Sequence, residues 1–407
     1  MLRKNKLLTI YGRFAFILLV LGSAFVYAMF QGGKVSWTIF YMILPFVCYS
    51  MLLFFYPLSD LIVERTIRTP NVQKGEQLVV SVTLKRKFRF PLLYTVATEQ
   101  WAERDVAALA GNRLKHLFVL GLRKEVTWDY EIDQMPRGEH VLRGIEIEIS
   151  DFFGWIRKTK FIAVTDTILI YPKTVGIDYV ASDTQYDRGS AASPFHIVKD
   201  TTMATGVRDY QAGDRVAWIH WKSFARTQTL MTKEFEDRCS QEILVLLDGR
   251  QSTMFEEQVE LTASILKEAA KQHVGLAFMT AGAGGAVFPF IQSEEQLHRA
   301  LVHLAKVQPT QEETVQLSPS RGDLLQHGGR VVVITGRLDE SFVQTMLRNV
   351  GNAQSILCLL VAKRDDPKLL EMEAMIQSAR SRGITVRVLE QEQFAQAFNG
   401  VAKGVAR

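Results

Sequence analysis

Two long apolar stretches without charge lie at the start of the chain. No charged residue occurs from Phe14 to Gly33, and none occurs from Val35 to Ser59. A helix needs about 20 residues to cross about 30 Å of hydrocarbon, and each stretch reaches that length. A cleaved signal peptide is the alternative for the first stretch, but a second apolar stretch follows at once. We therefore predict a membrane anchor in residues 1–60, with transmembrane helices at about 8–30 and 37–58.

Basic residues predict the orientation of this anchor, because the cytoplasmic flanks of transmembrane helices are rich in lysine and arginine. The basic residues near the spans are Arg3, Lys4, Lys6 and Arg13 before the first, Lys34 between the two, and Arg65 and Arg68 after the second. We therefore expect a multi-pass protein of the cell membrane with both termini and the soluble part in the cytoplasm.

Residues 61–175 show the alternation of apolar and polar residues that is typical of half-buried strands. It is clearest in LVVSVTLKR (78–86), VTWDYEI (126–132) and HVLRGIEIEI (140–149). Turn sequences such as MPRG (135–138) separate these runs. Several short alternating strands with such turns predict a small β-sandwich-like domain.

Residues 241–407 show a different pattern, in which continuous apolar runs alternate with helical periodicity. The runs are EILVLLD (242–248), VGLAFMT (274–280), RVVVITG (330–336), SILCLLVA (355–362) and ITVRVLE (384–390), with helical stretches near 254–272, 293–306, 339–349 and 367–381. This order predicts an α/β domain with a mainly parallel sheet covered on both faces. Between the two domains we predict a connector (176–206) and a charged, aromatic segment (207–240).

One candidate metal site lies where ligands of such sheets bind, at the carboxyl ends of the strands. Asp248 and Ser252 follow the first strand, and Thr335 ends the third. Carboxylate and hydroxyl oxygens suit Mg²⁺. Arg250 lies between Asp248 and Ser252, however, and would repel a cation. We favour the interpretation that no cofactor binds and that Asp248 caps the next helix or bonds to the turn backbone.

Composition and charge exclude several functions. The net charge is only +5 and the charged residues are mixed in sign, which argues against a nucleic-acid partner. The three cysteines, Cys48, Cys239 and Cys358, have no metal-site spacing and fit a reducing compartment. The sequence holds no phosphate loop, no HExxH and no GxSxG motif, so we expect no enzyme.

Residues 207–236, VRDYQAGDRVAWIHWKSFARTQTLMTKEFE, concentrate charged and aromatic side chains. Arginine and tryptophan are enriched at recognition surfaces. This segment is similar to the signature of domain-of-unknown-function family 58, approximately REYxPGDDxRxIDWKxxARTGxLxVREFExE. The matching residues are Arg208, Tyr210, Gly213, Asp214, Ile219, Trp221, Lys222, Ala225, Arg226, Thr227, Leu230, Glu234, Phe235 and Glu236. His220 stands where the family usually has an acid, and Arg215 replaces the second acid of the Gly-Asp-Asp run.

The resemblance implies a bacterial membrane protein whose C-terminal part is similar to a von Willebrand factor A domain. Such proteins are commonly linked to MoxR-type AAA+ ATPases and to transglutaminase-like membrane proteins. The metal-adhesion motif of von Willebrand A domains reads Asp-x-Ser-x-Ser. Here Arg250 replaces the first serine, and Gly336 stands near where a later aspartate would be expected. The resemblance therefore implies at most a degenerate metal site, at Asp248 and Ser252.

These patterns lead to one main hypothesis and two alternatives. The main hypothesis is a membrane adaptor whose cytoplasmic domain docks a partner such as a MoxR-type ATPase. The candidate docking residues are Arg208, Tyr210, Gly213, Asp214, Trp221, Lys222, Arg226, Glu234, Phe235 and Glu236. The alternatives are a membrane-associated hydrolase that uses Asp214, His220 and Asp248, and a degenerate metal-dependent adhesion module.

The same residues also fit a structural network in which the charges pair with one another and fix an irregular loop. Within this segment, Ile219 and Phe224 predict an inward-facing cluster that includes Trp221. Arg226 is expected to face outward.

Overall fold

The structure, a computed structural model, divides the chain into two compact units, Met1–Tyr171 and Pro172–Arg407. It describes all residues except 1, 179–198, 212–215, 238–242, 273–274, 283–284, 312–329, 351–354, 364–366 and 399–407.

Two long helices begin the first unit, α1 (Leu2–Gln31) and α2 (Lys34–Phe55). Gly32 separates them with a φ of 62°, a conformation that favours glycine. Residues Gly12–Gln31 of α1 and the whole of α2 are long and apolar enough to cross a membrane. Many outward-facing apolar side chains of both helices are exposed, which in water would be unfavourable.

Seven strands follow the helices and form two antiparallel sheets, as the alternating pattern predicts. The elements are a 3-10 turn (Leu58–Asp60), β1 (Leu61–Ile67), β2 (Leu78–Arg86), β3 (Tyr94–Trp101), α3 (Arg104–Ala110), a 3-10 turn (Gly111–Leu114), β4 (Lys115–Phe118), β5 (Glu125–Ile132), β6 (Gly138–Ser150) and β7 (Arg157–Ile170). One sheet has the order β1-β2-β5 and the other β4-β3-β6-β7. Both sheets contribute to a single apolar core, for example Val80 and Val82 from β2 and Ile145 and Ile147 from β6.

A buried arginine joins the two sheets of this domain. The Arg65 side chain on β1 is fully buried and donates to Glu99 on β3 at 2.5 Å. It also donates to Asp166 on β7 and to the carbonyl oxygen of Val164 at 2.8 Å. Because β1 belongs to one sheet and β3 and β7 to the other, this ion pair links strands that share no backbone hydrogen bonds.

The second unit is built on a six-stranded sheet with the order β12-β11-β10-β13-β14-β15. Its strands are β10 (Ile243–Leu247), β11 (Leu276–Thr280), β12 (Val287–Ile291), β13 (Arg330–Thr335), β14 (Ser355–Val361) and β15 (Ile384–Leu389). Its helices are α5 (Phe255–Lys271), α6 (Glu294–Lys306), α7 (Glu340–Val350) and α8 (Pro367–Ser381), with a 3-10 helix at Gln391–Gln396. All neighbouring strands are parallel except the edge strand β12, which pairs antiparallel with β11.

Both faces of this sheet are covered, as the sequence predicts. Val245 and Leu247 face one apolar cluster, which includes residues of α5 and α6. Leu244 and Leu246 face the other, which includes residues of α7 and α8. The predicted fold class, with two apolar helices, antiparallel sheets and then a mainly parallel α/β sheet, is therefore confirmed.

Before this sheet the chain forms a separate two-stranded antiparallel hairpin, β8 (Lys199–Asp209) with β9 (Met231–Asp237). Strand β8 begins inside the predicted connector, most of which lies outside the described residues. A 3-10 turn (Val216–Trp218) and a short helix, α4 (Trp221–Thr227), lie between the two strands. The hairpin therefore carries the signature segment.

The ion pair of Arg65 predicts a pH-dependent stability. Burial raises the pKa of Glu99 to about 7, against the lowering effects of Arg65 and Tyr130. Because Asp166 supplies a negative charge beside Arg65, Glu99 can stay protonated in the native state. At the same pH the carboxyl group of Glu99 in the unfolded chain has already lost its proton. Stability should therefore fall as the pH rises from about 5 to about 7, by up to about 1.4 kcal/mol per pH unit. In the Glu99→Gln variant the thermal midpoint of the detergent-solubilised chain should lose this dependence.

Glu125→Gln, which changes an exposed acid of the same domain, serves as the control and should follow the wild type. If Glu99→Gln showed the same decline between pH 5 and 7 as the wild type, another group would be responsible.

Candidate functional site

The hairpin holds the described part of the signature segment. Backbone hydrogen bonds from Tyr210 N to Leu230 O (3.0 Å) and from His220 N to Met231 O (2.8 Å) fasten the region between the strands to β9. Ile219 pairs with Thr232 in an isolated β-bridge, and both residues are buried. The helix α4 is thereby held on one side of the hairpin.

Trp221 is the most exposed tryptophan of this region, at 59%. Phe224 contacts it edge-on, with ring centroids 6.2 Å apart, and is itself 37% exposed. The expectation that Trp221 faces inward with Ile219 is therefore wrong, and only Ile219 is buried. The reason is geometric, because α4 has seven residues and can turn only one narrow side toward a two-stranded hairpin.

His220 begins α4 as its N-cap. Its Nδ1 atom accepts a hydrogen bond from the backbone N–H of Ser223 at 3.2 Å and lies 2.7 Å from the Ser223 hydroxyl. The side chain thus satisfies one of the free N–H groups at the helix start, as an aspartate would. The imidazole thus caps the helix at the position where the family usually has an acid.

Two cations lie one helical turn apart on α4. Lys222 and Arg226 are both exposed, and within the part of the chain that the structure describes neither makes an ion pair. Like charges four residues apart slightly destabilise a helix. The helix itself therefore gives no reason for this pair of cations. Arg208, on β8, donates from Nη1 to the carbonyl oxygen of Asp209 at 3.1 Å.

The remaining candidate docking residues are not described in full. Gly213 and Asp214 lie outside the described residues. Glu234, Phe235 and Glu236 have their backbone in β9, but their side chains are not described.

The candidate metal site lies at the carboxyl ends of β10 and β13, where Asp248 is 2% exposed. Arg250 occupies the space in front of this carboxylate. Its Nε lies 3.1 and 3.0 Å from the two oxygens of Asp248, and its Nη2 lies 2.9 Å from Oδ2. The Thr335 hydroxyl reaches Asp248 Oδ2 at 2.7 Å, and the backbone N–H of Arg250 donates to Oδ1 at 3.1 Å. Asp248 thus bonds to the turn backbone, as one of the sequence interpretations holds.

A second acid completes the arrangement. Arg250 Nη1 donates to Asp339 Oδ2 at 2.5 Å, while Asp339 Oδ1 accepts from the Ser341 hydroxyl and from Phe342 N at the start of α7. The expectation that the later acid is missing is therefore wrong, since Asp339 supplies it three residues after Gly336. The guanidinium also lies over the Phe342 ring, 4.8 Å from its centroid, a cation–π contact.

Electrostatics agree with this geometry. Burial alone would raise the pKa of Asp339, but the hydrogen bonds from Ser341 and Phe342 and the charge of Arg250 together hold that pKa below its usual range. Burial opposes the charge of Arg250, yet Asp248 and Asp339 raise the pKa of its guanidinium. The shifts of Asp339 and Arg250 therefore both favour the charged forms of these two side chains.

Close packing fixes the surrounding turns. A Cβ atom on Gly336 would lie 2.2 Å from the Ser252 hydroxyl oxygen and 2.3 Å from Gln258 Nε2. A Cβ atom on Gly249 would lie 2.2 Å from the carbonyl oxygen of Ala281. Ser252 therefore lies beside the strand end that carries Thr335.

These residues do not fit a divalent cation. Mg²⁺ needs carboxylate oxygens with free lone pairs in near-octahedral geometry. Here the guanidinium of Arg250 takes that position between Asp248 and Asp339. Among the described residues no other group of three or more histidine, cysteine or acidic side chains is placed to hold a metal.

This arrangement predicts that a metal can replace the arginine only after mutation. Arg250→Ser leaves two acids close together and restores the Asp-x-Ser-x-Ser order, so without metal it should lose about 3–5 kcal/mol of stability. Because Asp248, Asp339 and the nearby hydroxyls then surround an empty space, Mg²⁺ should restore part of the thermal midpoint relative to EDTA. The wild-type midpoint should be the same in Mg²⁺ and in EDTA.

Arg299→Ser, which removes an exposed arginine of α6, is the control and should respond to neither condition. A wild-type protein that Mg²⁺ stabilised, with the effect lost in Asp248→Asn, would contradict our interpretation of Arg250.

Comparisons with known proteins support the family resemblance of the signature segment. The family model described as "Protein of unknown function DUF58" matches residues 206–403. The uncharacterized protein YeaD of Bacillus subtilis (strain 168) is 35% identical over 394 residues, covering 93% of this chain and 96% of YeaD.

Solved structures are less similar. A von Willebrand factor type A protein from Catenulispora acidiphila is 14% identical, with a TM-score of 0.27, over 42% of this chain and 43% of that one. The chain thus spans less than half of that structure. BslA, a bacterial hydrophobin, is 13% identical, with a TM-score of 0.19, over 28% of this chain and 98% of that one. The match over residues 206–403, together with the identity to YeaD, shows that this chain belongs to the DUF58 family.

Proposed function

We propose that this chain is a membrane-anchored adaptor without enzymatic activity, which docks a partner protein through helix α4 and its hairpin. The observation that carries the proposal is the exposed Trp221, in contact with Phe224 and flanked by Lys222 and Arg226. We call these four residues the docking face. Exposed tryptophan and arginine are the residue types that contribute most binding energy at protein interfaces.

Burial supports a role in binding for Trp221. A tryptophan that leaves more than half of its surface in water contributes little to the fold, since hydrophobic stabilisation scales with the apolar area removed from water. If a partner covered this surface, its apolar area would be removed from water and would contribute to the free energy of binding. The alternative of a structural network, in which the charges of the segment pair with one another, does not account for the docking face, because Lys222 and Arg226 form no ion pair with any residue that the structure describes.

Charge indicates what kind of surface would fit. Lys222 and Arg226 are one helical turn apart, and α4 contains no acidic residue. A partner with acidic side chains around an apolar pocket would neutralise both cations and cover Trp221. The family resemblance suggests a MoxR-type AAA+ ATPase as this partner, with a transglutaminase-like membrane protein as a further member of the assembly.

The hydrolase alternative finds less support. Asp248 is sealed by Arg250 and Thr335, so no substrate proton can reach it. His220 Nδ1 is used as a helix cap. A general base needs a free acceptor within reach of its substrate, and the capping role of His220 and the closed position of Asp248 both count against this, while Asp214 lies outside the described residues. The adhesion alternative needs a metal between Asp248 and Asp339, where Arg250 lies instead.

The proposal predicts a separation of stability from binding. Trp221→Ala and Arg226→Ala should each change the free energy of unfolding by about 0.5 kcal/mol or less, because both side chains are exposed. Each should weaken capture of a co-expressed MoxR-type ATPase by about 2 kcal/mol or more. Thermal unfolding and equilibrium pull-down at graded salt concentrations measure the two effects.

Matched controls are available in the same unit. Phe290→Ala removes an aromatic side chain that is 49% exposed on β12, and Arg299→Ala removes an exposed arginine of α6. Both should leave capture unchanged. Unfolding caused by Trp221→Ala, or capture at the wild-type level in both docking-face variants, would contradict the proposal.

The proposal also includes a topology. Arg3, Lys4, Lys6 and Arg13 precede the first uncharged stretch, whereas Lys34 alone lies between the two stretches, and this difference favours a cytoplasmic C-terminus. A reporter that is active only in the cytoplasm, fused after Arg407, should therefore be active. Cleavage of the soluble part by protease added to intact cells would show the opposite orientation.

A further inference from the structure

The turn between β6 and β7 lies against the middle of helix α2. We call residues Asp151–Trp155, DFFGW, the aromatic turn. The ring centroids of Phe152 and Phe153 each lie 5.5 Å from that of Phe46 in α2. The Ser50 hydroxyl of α2 donates to Asp151 Oδ2 at 2.6 Å, and this bond is buried. The position of the turn along α2 is thus fixed by both apolar and polar contacts.

This position is deep relative to the end of the helix. Phe46 precedes the last residue of α2, Phe55, by nine residues, which corresponds to about 14 Å of helix. The 22 residues of α2 span about 33 Å, close to the roughly 30 Å of a hydrocarbon core. A bilayer that contains α2 must therefore also surround the side chains that lie beside Phe46.

The exposure of the turn agrees with this environment. Phe152 is 48% and Phe153 55% exposed although both touch α2, so each turns part of its ring away from the protein. Trp155 stacks on Phe153 at 4.6 Å and contacts Phe16 of α1 at 6.3 Å. The exposed apolar surface of the turn is therefore continuous with that of the two helices.

Asp151 is the one charged residue within the aromatic turn and is buried, and basic residues follow shortly after the turn. Lys158 Nζ donates to the carbonyl oxygens of Phe54 (2.9 Å) and Tyr56 (2.6 Å) at the end of α2, and burial lowers the pKa of this lysine. Arg157 is partly exposed and pairs with Glu148 at 3.0 Å. At the boundary between acyl chains and lipid headgroups, membrane proteins commonly place aromatic residues and then basic residues.

We propose that the aromatic turn inserts into the lipid leaflet that faces the soluble part, with Phe152 and Phe153 among the acyl chains and Arg157 at the headgroups. The proposal rests on the membrane anchoring included in the proposed function. It adds that the β-sandwich is attached to the bilayer at a second place besides the helices. The β-domain is then held in one orientation relative to the membrane and cannot rotate freely below it.

Site-directed spin labelling of the full chain in phosphatidylcholine–phosphatidylglycerol vesicles tests this proposal. Cys48 and Cys239 are replaced by serine, whereas Cys358 can stay, because burial raises the pKa of its thiol to about 12 and keeps it unreactive. A label at Phe153→Cys, and a second at Phe152→Cys, should collide several-fold more often with oxygen, which concentrates in lipid, than with a water-soluble nickel complex.

Two further labels make the outcomes distinct. Met42→Cys lies on the exposed side of α2 and reports on the helix itself. Leu109→Cys is exposed on α3, which follows β3 at the end opposite Tyr94, whose ring lies 5.7 Å from Phe152. The Leu109 label should therefore prefer the nickel complex.

Lipid-like behaviour at Met42 together with water-like behaviour at Phe153 would overturn the insertion and leave the anchor intact. Water-like behaviour at Met42 would overturn the anchor, and the insertion with it. Exclusion of both reagents from the labels at Phe152 and Phe153 would indicate that protein covers the turn, and would also overturn the proposal.

Discussion

Neutralising a buried guanidinium is the constraint on which each unit of this protein depends. Arginine keeps its proton inside proteins, so a buried guanidinium needs acceptors fixed at its donors, and acids at those positions also compensate its charge. Arg65 lies between Glu99 and Asp166, and Arg250 between Asp248 and Asp339. In each case one acid is sealed and the other is partly open to solvent. The first pair ties together two sheets, and the second ties the ends of two parallel strands to the start of a helix.

Arg250 lies at the edge of the parallel sheet where β10 and β13 end. Parallel α/β sheets offer their ligand site where the carboxyl ends of neighbouring strands meet. Here a side chain of the protein itself supplies the positive charge at that place, and Phe342 covers it from one side. The guanidinium is part of the chain and cannot dissociate, whereas a bound metal can. The positive charge at this edge of the sheet is therefore always present. The proposed docking face lies elsewhere, on α4, where exposed apolar area stands beside two cations that form no ion pair with a described residue.

The sequence predicted those parts of the fold in which periodicity extends over many residues. The two apolar helices and the five buried parallel strands belong to this class. Strand β12 was not predicted, because its sequence VFPFI contains Pro289, and within sheets proline is confined largely to edge strands. Asp339 was missed as a partner of Arg250, since an acid just before a helix is normally interpreted as a cap, and here it does both. Trp221 was placed inside because apolar neighbours usually mark a core, whereas a seven-residue helix on a two-stranded hairpin has no second layer to cover it.

Anchoring and docking are connected through entropy. A partner that binds a freely diffusing, rotating domain loses translational and rotational freedom on association, and this loss reduces the affinity that its contacts can produce. The proposed anchor would confine the chain to the plane of the membrane, and the proposed second attachment through Phe152 and Phe153 would restrict the rotation of the β-domain about it. Confinement of this kind raises the effective concentration of a partner held at the same membrane. Under these proposals a docking face of four side chains would be sufficient, because the bilayer would already impose part of the ordering that binding requires.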